Sequence, residues 1–173
     1  GNGFRAPLLG EVFRQPDLAR TVRALASGGS KEFYQGEIAS KIAAYLESKG
    51  SLIRADDLAR HDSEWVDPIS ASYKGYELFE LPPNGQGIVA LEMLNILEGY
   101  DLQRLGHNSA EYIHLLVEAK KLAFADRDTY VTDPSVRQLP ITELISDEYA
   151  AKMRRRINPE RAQTFPRSTL DVG

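Results

Sequence analysis

Residues 81–97 read Leu-Pro-Pro-Asn-Gly-Gln-Gly-Ile-Val-Ala-Leu-Glu-Met-Leu-Asn-Ile-Leu, and this stretch decides the fold. Pro82 and Pro83 must end any strand that precedes them, because proline has no amide hydrogen to donate to a ladder. The next four residues, Asn84, Gly85, Gln86 and Gly87, supply a flexible turn. Apolar residues then recur at helical spacing, at positions 88, 91, 94 and 97. The predicted order is therefore strand, glycine-rich turn, helix.

A β-hairpin over residues 69–81 is predicted immediately before this turn. The runs Ile-Ser-Ala-Ser-Tyr at 69–73 and Tyr-Glu-Leu-Phe-Glu-Leu at 76–81 are rich in strand-forming residues, and Lys74-Gly75 separates them. Further upstream, Pro16 and Asp17 open an amphipathic helix that closes at Gly28-Gly29, and a second helix runs toward Gly50 with a break at Gly36.

The chain after the turn is predicted to be mainly helical. Asn108, followed three residues later by Glu111, resembles a capping box at the start of a long helix that Asp133-Pro134 ends. Ser146 is predicted to cap a shorter helix that reaches Ile157. Residues 1–161 are therefore read as one mainly helical region that includes the hairpin. Residues 162–173, called the tail below, lack periodicity and are predicted to be extended or mobile.

Composition narrows the classes of function. The 173 residues are 42% hydrophobic and 27% charged, which is ordinary for a globular protein. A net charge of -4 offers no field for nucleic acid, and the basic run at 152–156 is read as a solvated helix face. The absence of cysteine excludes disulfides and thiolate catalysis. No apolar run is long enough to predict a membrane span. The cellular compartment is left undetermined.

No residue set in the sequence predicts catalysis by this chain alone. His61, His107 and His114 lack metal-binding spacing, and no Gly-x-Ser-x-Gly elbow supports a serine nucleophile. The turn at 84–87 could present amides to an anion, but a structural turn is favoured because the lysine of a phosphate loop is missing. Asp126 and Arg127, with Asp128, are predicted to form an ion-pair network that anchors the long helix. No catalytic, substrate-binding or metal residue is therefore assigned, and the turn with Asp126 and Arg127 is read as a structural motif.

Taken in order, several segments resemble the large-subunit portion of the γ-glutamyltranspeptidase family, and the resemblance covers nearly the whole chain. No single motif is diagnostic, but the order and spacing of the segments support the assignment. They are 17–23, 32–39, 52–58, Pro68-Ile69 with 73–76, 82–87, 94–100, and 123–127 with Asp133-Pro134.

The resemblance implies an α+β fold class: a predominantly helical fragment with a β-hairpin, part of the αββα sandwich of N-terminal nucleophile hydrolases. It also implies that a precursor cleaves itself and that the freed threonine of the small subunit attacks an amide bond of a small substrate. That threonine and the substrate-gripping arginine lie outside this chain, whose tail would lie near the processing junction. No cofactor or metal is implied, and the partners are the remainder of the large subunit and the small subunit.

One departure bears on the substrate. Typical transpeptidases carry Pro-Pro-Ser-Ser-Gly-Gly at this turn, whereas residues 82–87 read Pro-Pro-Asn-Gly-Gln-Gly. This version is more similar to the acylase and amidohydrolase branch of the superfamily. The isolated chain is expected to be inactive and to self-associate through unpaired hairpin edges. A stand-alone helical protein-interaction domain remains the alternative from a different class of function.

Overall fold

The computed structural model describes residues 5–164 and 166–170, and the chain divides into two compact units between Glu64 and Trp65. The predicted region 1–161 thus contains a unit boundary that hydrophobic periodicity does not indicate.

The first unit is helical. Helix α1 spans Pro16–Tyr34, α2 spans Glu37–Ser48 and α3 spans Ala55–Ala59. α1 consists of two helical segments joined across a kink at Gly29, whose φ of 65° and ψ of -160° leave the helical region. Only glycine adopts this backbone conformation readily, which explains why the sequence pattern predicted a helix end there. The predicted break at Gly36 is confirmed, since Gly36 lies between α1 and α2 as the N-cap of α2.

The second unit begins with the predicted hairpin. Strand β1 spans Ile69–Tyr73 and β2 spans Tyr76–Glu80, paired antiparallel from Ile69 opposite Glu80 to Tyr73 opposite Tyr76. Lys74 and Gly75 turn the chain with positive φ values of 50° and 83°, as a two-residue hairpin turn of matching twist requires. The hairpin prediction is confirmed, with the second strand ending one residue earlier than predicted.

Helices complete the second unit. α4 spans Gly87–Glu98, α5 Leu102–Leu105, α6 Ala110–Tyr130, α7 Ile141–Leu144 and α8 Asp147–Arg154. α4 lies at the centre, packed against β1, α6 and α8. The buried apolar core of this unit comes mainly from these helices and includes Ile88, Leu91, Ile96, Leu115, Ala119, Leu122, Ala123 and Met153.

Two helix boundaries show how far capping signals reach. The Ser146 prediction is confirmed, because its hydroxyl accepts a hydrogen bond from the Tyr149 amide at 3.2 Å. The Asn108 prediction is wrong by one residue: Ser109 caps α6 through its hydroxyl, which accepts from the Tyr112 amide at 3.1 Å. Asn108 instead adopts a φ of 58°, a left-handed conformation that asparagine tolerates. The far end of α6 lies at Tyr130, just before Asp133-Pro134, as predicted.

The tail has no regular secondary structure at residues 162–164 and 166–170, in agreement with its lack of periodicity, while residues 165 and 171–173 lie outside the described residues. Among the described helices, none is both long and apolar enough to cross a membrane.

Candidate functional site

The glycine turn links β2 to α4 in the order that the sequence predicts. Pro83 is buried, whereas Asn84, Gly85 and Gln86 are exposed. At Gly87, a Cβ atom would lie 2.9 Å from the Cβ of Glu80 on β2, closer than real Cβ atoms approach one another. The strand and the helix can therefore meet this closely only because residue 87 has no side chain.

Arg127 near the end of α6 reaches this turn. Its Nη1 donates a hydrogen bond of 2.9 Å to Oε1 of Gln86, and its guanidinium lies 4.1 Å from the centre of the Phe124 ring. Arg127 also pairs with Asp128 at 2.7 Å. The structure thus brings together two segments that the sequence analysis singled out separately, although their anchoring role remains a prediction.

Asp126 does not join this surface network, which corrects the predicted ion pairs. Successive residues of a helix point about 100° apart, so Asp126 faces inward while Arg127 faces the turn. Only 1% of Asp126 is exposed, and its Oδ2 accepts a hydrogen bond of 2.8 Å from the Tyr149 hydroxyl. Within residues 5–164 and 166–170, no ion pair joins Asp126 to Arg127.

A second buried carboxyl group, Glu92 on α4, lies beside Asp126. Glu92 is 2% exposed. Apart from a hydrogen carried by one of the two carboxyl groups themselves, Oε1 of Glu92 and Oδ1 of Asp126 receive no hydrogen bond from the described residues. Burial raises the pKa of Glu92 to about 10, helped by the charge of Asp126 and a hydrogen bond with it. Glu92 is therefore protonated at neutral pH and supplies the hydrogen that the pair requires.

Tyr149 on α8 completes this cluster, which we call the carboxyl pair with its tyrosine: Glu92, Asp126 and Tyr149. Burial raises the pKa of Tyr149, and the negative charge of Asp126 raises it further, while a hydrogen bond with Ser168 opposes the shift. The phenol therefore remains protonated and donates to Asp126. Three helices, α4, α6 and α8, are joined through one buried acid.

A third buried carboxylate, Glu118 on α6, faces the tail. Burial acts to raise the pKa of Glu118, but hydrogen bonds from Lys121 and the Gln163 amide outweigh it and lower the pKa. The ammonium of Lys121 lies 2.6 Å from Glu118 Oε1. Glu118 is thus ionised and paired, in contrast to Glu92.

These groups are suited to holding the fold together rather than to reacting with a solute. Glu92 and Asp126 are shielded from solvent, so a bound substrate could not exchange protons with them directly. Among the described residues, no three His, Cys, Asp or Glu side chains form a group that could hold a metal ion. His61 stacks on Tyr34, and Nε2 of His114 lies 2.8 Å from the carbonyl oxygen of Asn158.

Sequence reasoning missed the carboxyl pair with its tyrosine. A signal was available at Glu92, since an acid flanked by Leu91 and Met93 interrupts an otherwise apolar helix. Buried acids are rare unless they are paired, so such an acid indicates a partner elsewhere in the chain. The sequence contains no comparable signal for Tyr149.

Comparison with known proteins shows which family this chain resembles. The sequence model for gamma-glutamyltranspeptidase matches residues 2–171. The glutathione hydrolase-like YwrD proenzyme of Bacillus subtilis is 42% identical over 149 residues, which are 86% of this chain and 28% of that protein. The family resemblance predicted from the sequence is therefore confirmed, and the chain spans little more than a quarter of that relative's length.

Solved structures agree. The crystal structure of γ-glutamyltranspeptidase from Helicobacter pylori matches with a TM-score of 0.77 and 32% identity, over 95% of this chain and 49% of that one. The cephalosporin acylase from Bacillus halodurans matches with a TM-score of 0.76 and 43% identity, over 95% of this chain and 30% of that one. The predicted fold class, a helical portion of this enzyme fold carrying a hairpin, is confirmed.

Proposed function

The chain belongs to the γ-glutamyltranspeptidase family, and we propose that it forms the helix-and-hairpin portion of the large subunit of an amide-cleaving enzyme. That enzyme would transfer or hydrolyse γ-glutamyl or related acyl groups. The observation that carries this proposal is the family match over residues 2–171. The alternative of a stand-alone interaction domain is set aside because no comparable observation favours it.

The chemistry would be performed by a threonine outside this chain. As the first residue of a small subunit, such a threonine attacks the substrate carbonyl while its own α-amino group takes the proton. The acyl group then passes to water or to an amine. The partners of this chain would be the rest of the large subunit and the small subunit, and the reaction would need no metal or organic cofactor.

The contribution of this chain would be to position the reacting parts. Its buried acid Asp126 on α6 accepts a hydrogen bond from Tyr149 on α8, and the Arg127–Gln86 contact ties the glycine turn to α6. These contacts support a structural anchoring role for residues 82–87, Asp126 and Arg127. The tail would lead toward the processing junction of the precursor.

We place the substrate in the acylase and amidohydrolase branch rather than with glutathione. The departure from Ser-Ser-Gly-Gly at 84–87 supports this, as does the 43% identity to a cephalosporin acylase. The 42% identity to a glutathione hydrolase-like proenzyme makes a γ-glutamyl substrate the second candidate. Assaying the full-length enzyme with a γ-glutamyl anilide and a glutaryl anilide in parallel separates the two, since preference for the first would reverse our placement.

A direct test compares the 173-residue chain with the full-length precursor on the same two anilides. We expect turnover by the precursor after it has separated into two subunits, and none by the chain. The matched control is a precursor in which the first threonine of the small subunit is replaced by alanine. Robust turnover by the purified chain would overturn the proposal, and so would an uncleaved precursor with full activity.

A further inference from the structure

The tail is held by side chains rather than by backbone pairing. In its described part, it lies along α6 and α8 without joining a sheet or a helix. Segments of this kind ordinarily satisfy their main-chain groups with water. Here four main-chain carbonyl groups of the tail accept hydrogen bonds from four side chains of the helical core.

The contacts are spread along the whole described tail. Lys121 Nζ donates to the carbonyl oxygen of Gln163 at 2.6 Å, and Arg156 Nη2 donates to that of Arg167 at 2.9 Å. Lys152 Nζ donates to the carbonyl oxygen of Thr169 at 2.8 Å.

Two further contacts hold the ends of this stretch. The hydroxyl of Tyr130, a buried residue at the end of α6, donates to the carbonyl oxygen of Leu170. At the other end, the main-chain N–H of Gln163 donates to Oε2 of Glu118 at 3.2 Å. The same carboxylate fixes the ammonium of Lys121, so one buried acid orients both a donor and the peptide that it holds.

Most of these contacts go to the backbone of the tail, and its side chains add others: Arg156 Nη1 donates to the Thr169 hydroxyl at 3.4 Å, and Gln163 Nε2 donates to the carbonyl oxygen of Arg156 at 2.9 Å. Four donors at fixed places, each bonded to a main-chain carbonyl, set the path of the tail along α6 and α8. Three of the donors are cations, and hydrogen bonds from charged donors are stronger than those between neutral groups. The structure provides such contacts from residue 163 to residue 170, the last tail residue it describes.

We propose that Lys121, Tyr130, Lys152 and Arg156 form a main-chain clamp that positions the peptide following the tail for self-cleavage of the precursor. This inference rests on the proposed function, in which the tail leads to the processing junction. The four are positioning residues, because they contact the tail and not the reacting atoms. Cleavage itself consumes one water: the carbon–nitrogen bond of the junction breaks, the carbonyl carbon gains the hydroxyl oxygen, and the nitrogen takes a proton.

The test follows cleavage of the full-length precursor into two subunits on denaturing gels. We expect the double variant Lys152→Met/Arg156→Met to cleave at least tenfold more slowly than the unsubstituted precursor. The conservative variant Lys152→Arg keeps a cationic donor and should cleave within threefold of the unsubstituted rate. Arg155→Met is the matched control, because Arg155 is exposed between the two clamp residues and its side chain makes no hydrogen bond within the described residues.

Thermal unfolding of each variant separates positioning from loss of structure. If the double variant does not fold, Tyr130→Phe tests the clamp instead, because it removes one hydroxyl and keeps the ring. Cleavage of this variant that is at least threefold slower supports the clamp. A folded double variant that cleaves at the unsubstituted rate overturns the clamp, as does equal slowing in Arg155→Met. Failure of the unsubstituted precursor to cleave overturns the proposed function instead.

Discussion

At Glu92, burial decides the protonation state. The side chain lies against Asp126 inside the second unit, and its pKa rises from an ordinary 4.5 to about 10. The Tyr149 hydroxyl donates a hydrogen bond of 2.8 Å to Oδ2 of the neighbouring Asp126. The two carboxyl groups share one proton, and the Tyr149 phenol supplies a second hydrogen-bond donor, so the pair is hydrogen-bonded without a counter-ion. Two buried carboxyl groups in contact usually avoid carrying two negative charges in this way.

This proton makes stability depend on pH. Between the unfolded value near 4.5 and the folded value of about 10, the unfolded chain releases the Glu92 proton and the folded chain retains it. The contribution of Glu92 is therefore fully present below pH 4.5 and is lost as the pH rises toward 10, by up to about 1.4 kcal/mol per pH unit.

Glu92→Gln should remove this dependence, because an amide keeps a donor and cannot ionise. We expect the variant to be more stable than the unsubstituted chain at pH 8 and to differ little from it at pH 4.5. Urea unfolding followed by circular dichroism at both pH values measures the difference. The control is Glu160→Gln, which changes an exposed glutamate; a variant at position 92 that behaves like this control would show that Glu92 is ionised in the folded chain.

Tyr149→Phe tests the other donor of the site. Without the hydroxyl, Asp126 Oδ2 remains buried and loses its partner, a loss that costs about 1–3 kcal/mol. We expect that reduction in the free energy of unfolding at pH 7. The matching change Tyr45→Phe on an exposed tyrosine should cost less than about 0.5 kcal/mol. In the background of Asp126→Asn the effect of Tyr149→Phe should shrink, and undiminished loss there would place the tyrosine's contribution elsewhere.

At the scale of elements, the junction of β2 and α4 depends on one glycine. A Cβ at Gly87 would meet the Cβ of Glu80 at 2.9 Å, whereas a Cβ at Gly85 would have no atom within 4 Å. We expect Gly87→Ala to reduce the free energy of unfolding by about 1–3 kcal/mol, the usual cost of overpacking. Gly85→Ala, two residues away in the same turn, is the control and should be nearly neutral. Equal effects in urea unfolding would mean that turn flexibility, not close approach, requires glycine at 87.

The same junction shows what local patterns can predict. The hairpin, the turn and α4 follow from strand-forming runs, two prolines and apolar spacing, all of which act over a few residues. The cap of α6 was predicted at Asn108 and lies at Ser109. Both residues favour the N-cap position about equally, so propensity alone cannot choose between neighbours. The two helical segments of α1 meet at Gly29, where the Gly28-Gly29 signal predicts a helix end, because this residue has a positive φ.

Contacts between distant elements were beyond the reach of these patterns. Arg127 and Gln86 are 41 residues apart, and the helical period alone cannot say which neighbour Arg127 faces. The helical period does show that Asp126 and Arg127 point in different directions. This argues against the predicted ion-pair network that contained both residues. That Asp126 faces inward depends on α8, which brings the Tyr149 hydroxyl opposite its carboxylate.

At the scale of the whole molecule, the chain carries a hairpin that does not complete a sheet. Within the described residues, β1 and β2 pair only with each other, so each strand has one backbone edge without a strand beside it. Tyr76 and Phe79 are 75% and 61% exposed on β2. Exposed edges with apolar side chains promote association between chains. In a protein about three times as long as this chain, further chain would be available to cover them.

We therefore expect the isolated 173-residue chain to self-associate, with an average mass in light scattering that rises with concentration. Phe79→Lys should weaken this association by at least fivefold, because it places a charge on the hairpin beside the open edge. Leu52→Lys, which adds the same charge at an exposed apolar residue of the first unit, is the control and should leave association unchanged. A concentration-independent monomer would contradict the expectation, while equal weakening by both substitutions would show that net charge, not the hairpin, governs association.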